Sequence, residues 1–423
     1  MSQASIGIQT IFQPLAASVR VPGSKSLTNR ALMVASLAQG TTILTNALYS
    51  DDSRYFTESL QRLGFDVKLF ETPTMRVTGL AGRIPADGAE LFVGNAGTAA
   101  RFLMAMLTLG NGHYLLDGDE RMRQRPVQDL VSALGQLGAQ VNGDHLPVRI
   151  QARGLAGGKA VVNGDISSQF LSGLLLTAPY ARNPVALHVM RGLNSKPYID
   201  LTLAVMADFG VKVERDGYDR FTVPPQCYRS PGPYPIEPDA SAASYFFAAP
   251  AICGGTVRVE GLTRSARQGD IAFLDVLTQM GCTVEDGPAG VSVTGNPGLR
   301  GVSVNLGDIS DTTQTLAAIA PFASTPTTIH GIASSRMKET DRVAAICTEL
   351  TRLGVRVDEY ADGMTIYPCQ DIHPAEVHTY QDHRMAMAFS LIGLRVPGIT
   401  ILDPGCVSKT FPEFFQVLSQ LQP

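Results

Sequence analysis

The sequence has a low content of charge, no long charge run and no long apolar run. Of its 423 residues, 17% are charged and 44% are hydrophobic, which leaves ample apolar surface to bury and no sign of disorder. No stretch approaches the roughly 20 apolar residues of a membrane helix, so we expect no membrane partner. The net charge of −4 argues against a general nucleic-acid binder. What remains is a globular protein of two or three domains.

The first residues and the cysteines also lack familiar signals. The opening MSQAS has neither the basic nor the apolar part of a secretory signal, so we expect a cytoplasmic protein. The six cysteines form no CxxC pair and show no zinc-site spacing, which favours reduced and mostly buried thiols. No histidines or acids have metal-ligand spacing, so we expect no metal site.

A repeat runs through the whole chain. Five segments consist of an apolar helix end, a glycine and a short valine-bearing strand, and their glycines lie 71 to 74 residues apart. A glycine just past an apolar helix is the expected terminator in the left-handed conformation. The five glycines are Gly64, Gly138, Gly210, Gly281 and Gly354.

A second series marks helix starts at the same period. Each start places a capping residue before small and apolar residues, which predicts six units with two helices each and strands between them. The six motifs are SKSLTNRAL, GNAGTAARF, ISSQFLSGL, PDASAASYF, ISDTTQTLA and QDHRMAMAF. One interpretation is a repeat scaffold that binds an anionic ligand. However, many starts carry Lys, Arg or His where helix N-termini already attract anions, so converging starts would form an anion-binding cleft.

Three motifs in the first half offer cations and a flexible turn. VPGSKSLTNRAL presents Lys25, Ser26 and Arg30 at a helix start but lacks the spacing of a nucleotide-binding P-loop. In GNAGTAARFL, a side chain at Gly97 would project toward a ligand, or else the glycine serves a turn that needs positive φ. In RMRQRPVQDLV, Pro126 at a first helical position would fix Arg125 at a helix start, ready to grip a carboxylate or phosphate.

Uncharged donors follow in two further motifs. NGDISSQFLSG and LNSKPYID offer groups that suit sugar-like hydroxyls and a phosphate, or that act only as caps and turns. These donors are Ser167, Ser168, Gln169, Ser195 and Tyr198.

The second half carries the densest charge. In SSRMKETDRVAAI, the spacing predicts that Lys338 and Arg342 share a helix face, with Glu339 beside them. An ordinary surface charge pattern is the alternative, but the apolar residues that follow favour a buried helix with a charged tip. Further candidates stand at other helix starts and near the chain end: Asp311, Asp382, His383, Arg384 and Lys409.

In this order, VPGSKSLTNR, GNAGTAARF, RMRQRP, SSQF, SKPYID, KETDR, DHRMAM and SKTFP resemble the 5-enolpyruvylshikimate-3-phosphate (EPSP) synthases, a family of enolpyruvyl transferases. The resemblance spans almost the whole chain. It implies a two-domain inside-out α/β barrel of six βαβαββ repeats, three per domain, with the active site in the cleft between the domains. The first domain would comprise residues 1–23 and 237–423 on the phosphoenolpyruvate side, and the second residues 24–236 on the shikimate 3-phosphate side.

The resemblance also implies the reaction and its partners. A monomer without a cofactor would transfer the enolpyruvyl group of phosphoenolpyruvate to the 5-hydroxyl of shikimate 3-phosphate and release phosphate by addition–elimination. This step belongs to the shikimate pathway of aromatic amino-acid biosynthesis. The related transferase that acts on UDP-N-acetylglucosamine uses a cysteine in the first half, where this chain has none before Cys227.

The resemblance assigns residues to both substrates. Shikimate 3-phosphate would contact Lys25, Ser26, Arg30, Ser167, Ser168, Gln169, Ser195, Tyr198, Asp311, Ser334 and Lys338. Phosphoenolpyruvate would contact Lys25, Gly97, Arg125, Gln169, Arg342, Arg384 and Lys409. The catalytic assignment makes Asp311 the base and Glu339 the acid, with Lys25 and His383 taking part in proton transfer.

Two positions depart from the family pattern. Ser334 replaces an Asn that contacts the shikimate phosphate, and Phe102 replaces a Pro that follows the NAGTA-x-R run. Gly97 implies sensitivity to glyphosate, a mimic of phosphoenolpyruvate, whereas Phe102 could alter the tilt of the helix that carries it.

Overall fold

The computed structural model describes residues 4–421 and has a mixed α/β fold, which confirms the predicted class. The described strands are, in chain order, β1 (Ser5–Gly7), β2 (Leu15–Val19), β3 (Gln39–Thr45), β4 (Asp66–Leu69), β5 (Thr74–Leu80), β6 (Gly88–Phe92), β7 (Asn111–Asp117), β8 (Gln140–Asn142), β9 (Val148–Arg153), β10 (Gly158–Gly164), β11 (Val185–Leu193), β12 (Glu214–Asp216), β13 (Arg220–Val223), β14 (Pro233–Pro235), β15 (Gly255–Glu260), β16 (Thr283–Gly287), β17 (Gly290–Gly295), β18 (Ser303–Asn305), β19 (Thr327–His330), β20 (Val357–Tyr360), β21 (Gly363–Ile366), β22 (Glu376–Val377) and β23 (Thr400–Leu402).

Helices alternate with these strands. The described α-helices are α1 (Lys25–Leu37), α2 (Asp51–Arg62), α3 (Gly97–Leu107), α4 (Glu120–Gln124), α5 (Gln128–Gln136), α6 (Ser168–Thr177), α7 (Lys196–Asp208), α8 (Ala240–Cys253), α9 (Phe273–Met280), α10 (Thr313–Ile319), α11 (Arg342–Arg352), α12 (His383–Gly393) and α13 (Phe414–Ser419). Short 3-10 helices cover Ala178–Tyr180, Gly269–Ala272, Ser310–Thr312, Ala320–Phe322, Ala333–Met337 and Pro404–Lys409. Within residues 4–421, no helix combines the length and the apolar character that a membrane crossing requires.

The chain divides into two compact units, each with its own hydrophobic core. One unit is continuous, Gly23–Ile236. The other combines the chain up to Pro22 with the chain from Glu237 onward.

The continuous unit contains three four-stranded sheets of one topology, with orders β14-β3-β5-β4, β6-β7-β9-β8 and β10-β11-β13-β12. In each sheet the first pair of strands is parallel and the other two pairs are antiparallel. The first sheet takes β14 from the far end of the unit, where Tyr234 pairs with Leu44.

The discontinuous unit repeats this topology. Its sheets have the orders β2-β15-β17-β16, β18-β19-β21-β20 and β22-β23-β1. The last sheet has three strands among the described residues. Strand β1 from the other end of the chain pairs antiparallel with β23, and Ile6 lies opposite Ile401.

The local signals at the helix ends are confirmed. All five repeat glycines have positive φ, between 82° and 109°. Each of the six helix-start motifs begins a helix, and the side chains of Ser24, Ser167, Asp239 and Asp382 accept hydrogen bonds from backbone N–H groups at the starts of α1, α6, α8 and α12.

The first helix of each repeat is buried and packs on its equivalents in the same unit. In the continuous unit these are α1, α3 and α6; in the other they are α8, α10 and α12. The starts of neighbouring helices meet: Gln169 in α6 donates to Thr98 in α3 at 3.1 Å. Ser244 in α8 and Thr315 in α10 share a 2.8 Å hydrogen bond. Within each unit, therefore, helix N-termini come together at one end.

All six cysteines are free thiols. Only Cys282 and Cys347 are buried, so the expectation of mostly buried thiols is wrong. Cys227 is exposed and lies in the irregular segment that follows β13.

Candidate functional site

The start of α1 carries the first predicted cations. Lys25 is the first helical residue, and its ammonium lies 3.5 Å from the carboxylate of Asp52. Arg30 is 2% exposed, and burial lowers its pKa to about 10. Its guanidinium donates to four groups, which fix α1 against α6 and α7: the carbonyl oxygens of Ser26 and Tyr198 and the hydroxyls of Ser172 and Thr202.

Phe102 is also part of this packing. Its ring lies in α3, fully buried, with the Arg30 guanidinium 5.4 Å from its centroid. The residue that departs from the family pattern is therefore accommodated inside a regular helix that begins at Gly97.

The close approach of two arginines, rather than the backbone conformation, leaves no room for a side chain at Gly97. It is the first residue of α3 and does not have positive φ, so the turn interpretation is wrong. A Cβ atom there would lie 2.5 Å from Nη1 of Arg101 and 2.6 Å from Nη2 of Arg125. The absence of a side chain is what allows both guanidinium groups to approach the helix tip. We call Gly97, Arg101, Arg125 and Gln169 the Gly97 cluster.

Sequence reasoning missed Arg101. Its side chain is buried, and Nη1 donates to the Gly97 carbonyl and to Oε1 of Gln169, each at 3.1 Å. Nη2 donates to the carbonyl of Pro126 at 3.3 Å. The sequence did contain a signal for Arg101: it lies four residues after Gly97 in an otherwise apolar helix. A buried arginine in such a helix must be paired, so it could have been predicted to contact the helix start.

Arg125 is brought into the cluster, but not by the predicted helix start. It follows the last residue of α4, and α5 begins only at Gln128, so Pro126 is not a first helical residue. The proline disfavours helical conformation at the residue before it, and Arg125 is extended with ψ of 135°. Its Nη1 donates to Oδ1 of Asn95 at 3.0 Å and to the Asn95 carbonyl at 3.3 Å.

The predicted uncharged donors lie at the starts of α6 and α7. Ser167 caps α6 by accepting from the N–H of Gln169 at 3.3 Å, and Ser168 is the first helical residue. Ser195 precedes α7 in the left-handed conformation, with φ of 57°. Tyr198 contributes its carbonyl to Arg30 and its ring to the same guanidinium, 5.9 Å from the centroid.

In the discontinuous unit, Asp311 is the centre of a charged cluster. Its Oδ1 accepts from Nζ of Lys338 at 2.6 Å and from Nη1 of Arg342 at 3.0 Å. Its Oδ2 accepts from Nη2 of Arg384 at 2.7 Å. We call Asp311, Lys338, Glu339, Arg342, Asp382 and Arg384 the Asp311 cluster.

Arg342 is the most completely enclosed cation of this cluster. Nε donates to Asp382 at 2.7 Å, and Nη2 donates to Glu339 at 2.8 Å. Burial opposes its positive charge, but the carboxylates of Asp382, Glu339 and Asp311 outweigh burial, so the pKa of Arg342 is raised. For Lys338 burial prevails over the attraction of Asp311, and its pKa is lowered.

Lys338 and Arg342 do not share a helix face as predicted. Lys338 follows the 3-10 helix Ala333–Met337, whereas α11 begins at Arg342. Asp341 caps α11 by accepting from the N–H of Ala344 at 3.0 Å, which sets the helix start after Lys338. The two cations nevertheless meet at Asp311 through the tertiary fold.

The remaining candidates of the discontinuous unit are His383, Lys409 and Ser334. His383 is completely buried as the first residue of α12, with Nδ1 3.5 Å from Oδ1 of Asp382. Lys409 ends a 3-10 helix that packs on α12, and its side chain is 9% exposed. Ser334 lies half-buried in the 3-10 helix that leads to Lys338.

Each cluster combines fixed cations with converging helix starts, an arrangement that suits anionic ligands. The model of the EPSP synthase (3-phosphoshikimate 1-carboxyvinyltransferase) family matches residues 9–418. The 3-phosphoshikimate 1-carboxyvinyltransferase of Nostoc punctiforme is 49% identical to this chain, and the alignment covers 98% of this chain and 100% of that enzyme. The enzyme of the same name from Shewanella sp. strain ANA-3 is also 49% identical, over 96% of each chain.

Solved structures agree in fold. The EPSP synthase from Acinetobacter baumannii has a TM-score of 0.83 and 25% identity, and the comparison covers 100% of this chain and 98% of that one. The enolpyruvyl transferase NikO from Streptomyces tendae has a TM-score of 0.77 over 99% of this chain and 97% of its own; at 19% identity this likeness concerns the fold alone.

Proposed function

Since the chain belongs to the EPSP synthase family, we propose that its Gly97 cluster and its Asp311 cluster bind the two substrates of that family. The protein transfers the enolpyruvyl group of phosphoenolpyruvate to shikimate 3-phosphate in the shikimate pathway. The observation that carries this conclusion is the family match across residues 9–418. The assignments of individual residues below are our proposal.

Shikimate 3-phosphate binds at the starts of α1, α6 and α7. Arg30 supports this assignment because its four hydrogen bonds tie these helices together. Helix N-termini and hydroxyl donors suit a phosphate group. In the discontinuous unit, Lys338 supplies a cation and Asp311 a hydrogen-bond acceptor for the sugar-like hydroxyls. The full proposed set is Lys25, Ser26, Arg30, Ser167, Ser168, Gln169, Ser195, Tyr198, Asp311, Ser334 and Lys338.

Phosphoenolpyruvate binds to arginines that are already fixed before it arrives. Carboxylates hold Arg342 and Arg384, and Asn95 holds Arg125, so their donors lose little freedom when a ligand binds. Planar guanidinium groups are suited to bidentate contact with carboxylate and phosphate groups. The full proposed set is Lys25, Gly97, Arg125, Gln169, Arg342, Arg384 and Lys409.

The proposed mechanism has two steps. In the addition step, Asp311 accepts the proton of the 5-hydroxyl of shikimate 3-phosphate while that hydroxyl oxygen bonds to C2 of phosphoenolpyruvate. Glu339 delivers a proton to the methylene carbon. In elimination, the new methyl group returns one proton to Glu339, and the C2–O bond to phosphate breaks. The double bond is thereby restored, and phosphate leaves with the proton that Asp311 had accepted. Lys25 assists proton transfer at the substrate, whereas buried His383 takes part through Asp382.

We also propose that each unit closes into the inside-out barrel of the family, with the buried first helices inside the sheets. The repeated sheet order in each unit supports this arrangement. The two units would be the phosphoenolpyruvate and shikimate 3-phosphate domains, with the boundaries given above. A monomeric state and a cytoplasmic location stay predictions, and sedimentation analysis would test the first.

Phosphate release tests the activity directly. Purified protein receives phosphoenolpyruvate with and without shikimate 3-phosphate, in the presence of a chelator. We expect release only when both substrates are present. Absence of release from folded protein with both substrates would contradict the proposed function, and an anion-binding scaffold would become the better interpretation.

A further inference from the structure

A buried carboxylate outside both clusters has no role in the mechanism above. Glu349 lies in α11 and is 0% exposed. Its Oε1 accepts from the hydroxyl of Tyr380 at 2.6 Å, and its Oε2 accepts from the N–H of His378 at 3.1 Å. Arg352 donates to Oε2 at 3.2 Å. A buried charge is costly unless it is fully paired, so these partners account for how Glu349 is tolerated but not for why it is there.

Two partners of Glu349, His378 and Tyr380, belong to a strained turn. Tyr380 and Gln381 both have φ of 55°, a conformation that residues other than glycine rarely adopt. Two such residues in succession persist only when the surroundings hold them in place. The turn is closed by the N–H of Asp382, which donates to the carbonyl of Thr379 at 2.8 Å. Asp382 is the next residue along the chain and belongs to the Asp311 cluster.

Helix α11 holds this segment at two points. Arg342, its first residue, donates to Asp382 at 2.7 Å. Glu349, seven residues later and about 10 Å along the helix axis, accepts from the turn that precedes Asp382. Asp382 also accepts from the N–H of Arg384 at 2.9 Å. The position of the turn therefore affects the positions of both Arg342 and Arg384.

We propose that Glu349 is a positioning residue for phosphoenolpyruvate: by anchoring the turn His378–Gln381 through Tyr380, it sets the place of Asp382 and thereby of Arg342 and Arg384. This inference rests on the proposed binding of phosphoenolpyruvate by these two arginines. The Tyr380 hydroxyl can be removed by mutation without replacing any other residue of the turn. Burial and the hydrogen bond to Glu349 raise the pKa of the Tyr380 phenol to about 12, so it remains a donor throughout the neutral range.

The test compares Tyr380→Phe and Glu349→Gln with a matched control in the full chain. Tyr380→Phe removes one hydroxyl from a ring that is 39% exposed, so we expect it to fold. The control is Tyr367→Phe, because the Tyr367 hydroxyl also donates to a carboxylate of the same unit, that of Asp358, at 2.7 Å. Steady-state kinetics with each substrate in turn at saturation give separate KM values, and urea unfolding gives the stability.

We expect Tyr380→Phe to raise KM for phosphoenolpyruvate about three- to tenfold, the range expected for one hydrogen bond. KM for shikimate 3-phosphate should change less, because Arg342 and Arg384 affect that substrate only through Asp311. Glu349→Gln should act in the same direction, and the double variant should be less than additive because both changes break one interaction. Tyr367→Phe should change neither constant.

Two results would overturn the proposal: an unchanged KM for phosphoenolpyruvate in folded Tyr380→Phe, or an equal change for both substrates, which would indicate general loosening. Arg342→Lys is measured in parallel to separate the two hypotheses. If Arg342→Lys leaves KM for phosphoenolpyruvate unchanged, the substrate assignment itself is wrong. If it raises KM and Tyr380→Phe does not, only the positioning role is wrong.

Discussion

Replacing Gly97 with alanine should separate stability from substrate binding. The added Cβ would lie 2.5 Å from Nη1 of Arg101, about 0.9 Å closer than ordinary contact begins at 3.4 Å, and it would crowd Arg125 almost as closely. Both clashes involve the ends of long side chains, so the fold can relax by moving them. Since Gly97 is helical, alanine also gains up to about 1 kcal/mol of helix propensity. We therefore expect the free energy of unfolding to change little or to rise.

The Gly97→Ala change should instead weaken the binding of phosphoenolpyruvate. A shift of about 1 Å in Arg125 would break its 3.0 Å hydrogen bond to Asn95 and misplace one charged contact to phosphoenolpyruvate. A hydrogen bond to a charged group is worth about 1.5–3 kcal/mol, so we expect KM for phosphoenolpyruvate to rise about tenfold or more. If glyphosate competes with phosphoenolpyruvate for this site, as its mimicry of that substrate implies, its inhibition should weaken at least as much.

The assay is steady-state phosphate release at saturating shikimate 3-phosphate, with urea unfolding in parallel. Gly135→Ala is the matched control, because Gly135 lies inside α5 with no atom within 4 Å of an added Cβ. The control should match the unchanged protein in KM and be slightly more stable. A KM for phosphoenolpyruvate within twofold of the unchanged protein in folded Gly97→Ala would refute the reasoning.

Three further predictions concern single charged groups. Asp311→Asn should reduce turnover about 100-fold or more in the phosphate-release assay; a loss below tenfold would exclude Asp311 as the base. The lowered pKa of Lys338 means that its ammonium is lost as pH rises, before the ordinary value of 10.5, so affinity for shikimate 3-phosphate should fall on that alkaline side. Lys338→Arg should move this fall to higher pH, and an unchanged profile would contradict the assignment. Arg30→Ala should lower the free energy of unfolding by at least about 2 kcal/mol in urea, because four hydrogen bonds are lost and a cavity is left; a change below about 1 kcal/mol would show that they contribute little.

Features that depend on a few neighbouring residues were predictable from the sequence. Gly64 and its four equivalents terminate helices because a left-handed residue without a Cβ is a local requirement. Ser24 and Ser167 cap helices for an equally local reason. The order of the motifs also carried the family resemblance, because several residues that we propose to bind substrate stand at these helix starts.

Errors occurred where two local rules competed. The spacing of Lys338 and Arg342 suits one helix face, but Asp341 between them is a strong capping residue and starts the helix later. Pro126 suits a first helical position, yet it also forces Arg125 into extended conformation and ends α4. In both cases the residues still reached their clusters, because the packing of the unit rather than the local helix places their charged ends.

The sequence by itself determined where helices begin and end, how often the pattern repeats and which residue types stand at the helix tips. These properties follow from backbone conformation and capping over a few residues. Only the tertiary structure decided which tips meet: that Gly97 leaves space for Arg101 and Arg125, and that Asp311 receives Lys338, Arg342 and Arg384 from distant segments. Those contacts join residues up to 73 positions apart, and no short-range rule specifies the partners of a buried charge.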